Sequence, residues 1–162
     1  MLQRLKASPP AWTVAIAGTI AWAIVLAASA ATWLVLNDRI ETSQWQAILM
    51  IFGLGGALSF VPGIVAARMV APRGNERQRF AAALLCLGIS SVLGVAFVFS
   101  MQYRLYYAQW HEPFPTVPWF FQLAFTGANA VYQFAVLGTR MFFPLALVAL
   151  FAVSLRHARQ PR

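Results

Sequence analysis

Five polar side chains stand in the apolar C-terminal third of the chain: Gln122, Thr126, Asn129, Gln133 and Arg140, at successive gaps of four, three, four and seven residues. At about 100° per residue, an α-helix brings them within about 60° of one another. The opposite side reads Phe120, Ala124, Val131, Ala135 and Phe142, all apolar. Beyond Arg140 the polar face itself turns apolar, at Pro144, Leu147 and Phe151. Amides and a hydroxyl offer uncharged donors and acceptors, and the guanidinium is a permanent cation with a fork of donors. These groups suit recognition better than bond-making. They can hydrogen-bond across helices or hold a carboxylate, a phosphate or a lipid headgroup.

Other chemistries lack their residues. His111 and His157 are the only histidines and both lie outside the apolar stretches, so a bis-histidine haem has no ligands there. Cys86 is the only cysteine, which rules out an internal disulfide or thiol pair and leaves a small packing residue. The sequence has no HExxH, CxxC, phosphate loop or nucleophile elbow. His111 and Glu112 supply two adjacent ligands in a proline-rich loop, too few to specify a metal site. The expectation is a non-enzymatic protein without a cofactor.

The elements that carry these residues are membrane spans. The chain is 60% hydrophobic and 10% charged, where a soluble domain has about 25% charged residues. Four apolar stretches, about 11–36, 45–67, 80–101 and 134–155, reach the roughly 20 residues a spanning helix needs. Residues 1–162 are read as one four-span domain. The run Trp119–Leu155 is too long for one straight span. A helix through it would measure about 55 Å, against about 30 Å of hydrocarbon. The outer segment, about 102–133, is therefore read as a loop and an interfacial helix joined to the last span near Gln133. One long tilted helix is the alternative. Arg140 then lies about 22 Å above Leu155, near the outer boundary. Around Pro113, Pro115 and Pro118, the rings of Tyr103, Tyr106, Tyr107, Trp110 and Trp119 suit an extended loop on the headgroups.

Charge orients the spans. With both termini and the 72–79 joint on one side, that side carries Arg4, Lys6, Arg68, Arg73, Arg77, Arg79, Arg156, Arg159 and Arg162 against Glu76 alone. The other side balances Arg39, Arg104 and Arg140 against Asp38, Glu41 and Glu112. The net charge of +8 thus falls on one face, which the positive-inside rule makes cytoplasmic. Anionic headgroups account for this basic face without nucleic acid. The head and Ala28-Ser29-Ala30 also resemble a cleavable signal peptide. The apolar run continues to Leu36, longer than a usual signal core, which favours an uncleaved span. The expected fold class is an all-α integral membrane protein with four transmembrane helices and both termini cytoplasmic, in a bacterial inner membrane.

Lipid gives no hydrophobic drive for helix pairing, so small residues matter. Gly56, Ser59 and Gly63 share a face of the second span, and Ser90 and Gly94 form a small pair on the third. They are expected to pack the bundle, with Pro62 free to kink the second helix. No Asp or Glu lies inside a span, so an ion pair for Arg140 needs another chain or a ligand. The expected role is an accessory, assembly or immunity-type partner of another membrane protein. The expected contacts are the lipid bilayer and either a membrane-protein partner or further copies of this chain. The alternative is a small oligomeric channel or transporter with an Arg140-lined path. An enzyme acting on lipid-linked substrates has only Arg140 in its favour.

Overall fold

A computed structural model describes residues 12–39, 41, 43–72 and 74–159. Arg4, Lys6, Arg73 and Arg162 of the basic face, and Ala11 at the expected start of the first span, lie outside the described residues.

Five α-helices account for most of the described chain: α1 (Trp12–Leu36), α2 (Trp45–Val70), α3 (Glu76–Ala108), α4 (Val117–Gln133) and α5 (Leu145–Arg159). A π-helical turn at Phe134–Gly138 and a 3-10 turn at Thr139–Phe142 carry α4 onward before the chain bends into α5. The first three helices are each long and apolar enough to cross a membrane. Val117–Phe142 and Leu145–Arg159 form a bent pair, at 68°, that together passes the same test. The protein is an all-α, multi-pass membrane protein.

Local sequence sets the helix ends. α1 stops where Asp38 takes a left-handed conformation, φ 52°. The Arg39 amide then donates to the Leu34 carbonyl at 2.8 Å, and the Asp38 amide to Val35 at 3.2 Å. These two bonds satisfy carbonyls the helix end would otherwise orphan. α3 opens on a capping box: the Gln78 amide donates to Asn75 Oδ1 at 2.9 Å, and the Asn75 amide donates back to Gln78 Oε1 at 3.1 Å. α3 then runs 33 residues, about 50 Å. The helix therefore continues through Tyr103, Tyr106 and Tyr107, where the sequence suggested loop. Its outer end stands well beyond a hydrocarbon core of about 30 Å.

The bend also lies elsewhere than expected. It falls at Phe143-Pro144, not near Gln133, and Phe143 is extended at φ −91°, ψ 139°. A residue before proline avoids the helical region, and Pro144 has no amide to continue the ladder. The last helix is consequently 15 residues long, about 22 Å, shorter than the expected span 134–155.

α1, α2, α3 and α5 form a bundle in which α2 lies between α1 and α3, and α5 touches α3 and α1. Leu26, Ala30, Leu87 and Val95 are fully buried at its centre. Ile16, Ile20, Ile24, Leu85, Ile89 and Leu93 point outward and give the bundle an apolar surface suited to lipid. The small residues are absorbed in helix contacts. A Cβ on Gly94 would meet the Gly55 carbonyl oxygen at 2.6 Å, and one on Gly63 would meet Leu87 Cα at 2.9 Å. Gly56 faces Ala23 on α1 instead. Ser90 Oγ donates to the Ser59 carbonyl at 2.8 Å, tying α3 to α2 one turn from Pro62. α2 remains helical through that proline.

At the basic face, Arg79 Nη2 donates to the His157 carbonyl at 3.0 Å, and Arg159 lies 3.6 Å from Glu76. The end of α5 therefore meets the start of α3. That arrangement places the α5 end on the same side as the α2–α3 joint.

Candidate functional site at the outer end

α4 climbs the outer end of α3. Phe134 lies against Phe99, with ring centroids 6.1 Å apart. One and five residues before Phe134, Gln133 Nε2 and Asn129 Nδ2 both donate to the Tyr103 hydroxyl, at 3.4 and 2.5 Å. The chain leaving α3 folds back along the same side of α4. His111 Nε2 lies 3.2 Å from the Thr126 hydroxyl, and the Glu112 amide donates to Gln122 Oε1 at 2.8 Å. The Thr126 hydroxyl also donates to the Gln122 carbonyl.

Gln122, Thr126, Asn129 and Gln133 therefore do share a face, and that face meets their own chain. Asn129 and Gln133 both bond across to α3, at the Tyr103 hydroxyl. The other side of α4 is uncovered: Phe121, Phe125, Val131 and Tyr132 are all more than 60% exposed. α4 is thus amphipathic with its polar side inward and its aromatic side outward. Such a helix is stable at a lipid surface or against another apolar helix. Thr116 caps it, its hydroxyl accepting from the Trp119 amide at 3.3 Å, with Pro118 in the first turn.

Arg140 departs from the other four. Between Gln133 and Arg140 the regular 100° step is broken, first by the wider π turn and then by the tighter 3-10 turn. The helical wheel no longer fixes its direction. The side chain is exposed and makes no hydrogen bond or ion pair among the described residues. Its neighbours fix its depth. The Ser29 hydroxyl donates to the Met141 carbonyl at 2.9 Å and accepts from the Ala146 amide at 3.1 Å. The rings of Phe142 and Phe52 are 5.3 Å apart. Ser29 lies seven residues from the outer end of α1, and Phe52 seven from the start of α2. Arg140 therefore sits about 10 Å below those helix ends. α1 and α2, at 25 and 26 residues, exceed the hydrocarbon core by only a few ångströms at each end. A hydrocarbon core centred on α1 and α2 would thus place the start of the guanidinium stem within one leaflet, in snorkelling reach of the headgroups. Leu137 and Val136 beside it are exposed as well.

No family model, curated protein or solved structure matches this chain.

Tyr103, His111 and Glu112, which the sequence assigns to the outer loop without linking them to the stripe, emerge here as its partners. Tyr103 carried a signal: it lies four residues after Phe99 and four before Tyr107, one helical face. The three rings pack in that order, with centroids 6.1 and 4.6 Å apart. Ser29 carried none, since its role depends on where the distant bend falls. Among the described residues, no group of three or more His, Cys, Asp or Glu gathers to hold a metal.

Proposed function

We propose that the chain is a non-enzymatic accessory, assembly or immunity-type subunit of a bacterial inner membrane, with both termini cytoplasmic, and that Arg140 is its contact to a partner. The reading rests on Arg140. A cation starting inside the outer leaflet costs energy, about 2.5–3.5 kcal/mol at the helix centre and less toward the boundary. The spans of this chain hold no acid to offset it. An Asp or Glu on a neighbouring membrane helix would complete the pair. The uncovered face of α4 and the exposed Leu137 flank the cation with apolar surface, which suits a helical partner. A second copy of the chain offers no acid at that depth, so a different protein is favoured over a homo-oligomer.

Purification in mild detergent tests this. A partner retained at fixed stoichiometry, and released by Arg140→Ala, is the expected result. A clean monomer across several detergents contradicts it.

A further inference from the structure

A second site opens at the opposite, basic face. α1 and α5 meet at Ser29 and Ala146, but they separate toward their basic ends. Each is held elsewhere. The Phe60 ring of α2 lies so close under α1 that a Cβ on Gly18 would come within 2.1 Å of it. α5 is held to α3 by the Arg79–His157 bond and by the Phe80 and Phe151 rings, 5.0 Å apart. Between the two helices lies a cleft of about 510 Å³, within the range of about 300–1,000 Å³ typical of small-molecule sites. Phe60 and Ile64 floor it. Trp22 closes its deep end, with the indole N–H donating to Ser91 Oγ at 3.0 Å.

The lining is polarised. Arg68, Arg156 and His157 stand at the basic end, the rest of the wall is almost entirely apolar, and among the described residues no acid lines it. Glu76, at the start of α3, pairs with Arg159. Cations at a mouth over apolar walls match one kind of molecule: an anionic head with a hydrocarbon tail. Arg68 and Arg156 come from the last turns of different helices, where the helix dipole also favours a cation. Together they can hold one phosphate from two sides.

We propose that this cleft binds a phosphate-headed lipid, with Arg68 and Arg156 on the phosphate and Phe60 and Ile64 against the upper chain. This site is independent of Arg140 and of any partner there.

Native mass spectrometry of the full chain, released from detergent and titrated with defined lipids, tests the proposal. Phosphatidylglycerol and phosphatidylcholine of matched tails are compared, with hexadecyl phosphate as a free phosphate amphiphile. One tightly retained phosphatidylglycerol, preferred over phosphatidylcholine, is expected. Retention of hexadecyl phosphate as well assigns recognition to the phosphate and a single chain; its failure to bind assigns the site to a bilayer diacyl lipid. Each basic side chain is worth about 1 kcal/mol toward an anionic lipid, so Arg68→Gln with Arg156→Gln should weaken retention about thirtyfold. Arg77→Gln, on the same face but outside the cleft, should change it little. Equal retention of both phospholipids, or an equal loss with Arg77→Gln, overturns the proposal. Val153→Trp fills the cleft without touching its charge. It should abolish retention while circular dichroism shows intact helix, and retained lipid in that variant also overturns the site.

Discussion

The Ser29 hydroxyl on α1 donates to the Met141 carbonyl at 2.9 Å, across 112 positions of sequence. The same oxygen accepts from the Ala146 amide, at the free N-terminal end of α5. One buried serine thus serves both sides of the bend that sets the depth of Arg140. Ser29→Ala leaves a carbonyl and an amide unpaired in a buried place. The expected loss is about 1–2 kcal/mol, since polar contacts in membranes contribute less than the full penalty. Reversible unfolding in mixed micelles measures it, and an unchanged midpoint would show that the bend does not depend on this serine.

Close approach of α2 and α3 makes a paired prediction. Gly94→Ala drives a methyl against the Gly55 carbonyl, which is backbone and cannot swing away. It should destabilise the bundle by about 1–3 kcal/mol. Gly127→Ala on α4 meets nothing within 4 Å. There, the higher helix propensity of alanine should give about 0.5–1 kcal/mol of stabilisation. Thermal unfolding in detergent should move in opposite directions for the two.

Tyr103→Phe removes the acceptor shared by Asn129 and Gln133. The stripe is partly open to solvent, so the cost should stay below about 1 kcal/mol. The sharper readout is accessibility. Single cysteines at Gln122, Thr126 and Gln133 should label slowly in the parent and faster beside Tyr103→Phe. Equal rates would mean that α4 does not rest on α3 through its polar side.

These relationships were unequally legible in the sequence. The first three spans follow from apolar length alone, because a lipid-crossing helix must satisfy its own backbone. The shared face of Gln122 to Gln133 follows from spacing. The outer end of α3 is less legible, because Tyr and Arg suggest headgroup loop, although nothing breaks the helix before Pro113. The expected joint near Gln133 lies inside the polar stripe, yet the backbone answers to proline, and Phe143-Pro144 carries that signal. The cleft had no linear signature. It exists because α1 and α5 diverge, and divergence depends on which neighbours each helix grips.

Arg140 remains the most direct test. A photo-crosslinking residue placed at the exposed Leu137, half open beside the cation, reports what faces Arg140 in native membranes. A discrete protein adduct is expected. It should survive Arg140→Lys and vanish with Arg140→Ala. Adducts to lipid alone, or a protein adduct indifferent to both substitutions, would contradict a partner held by Arg140.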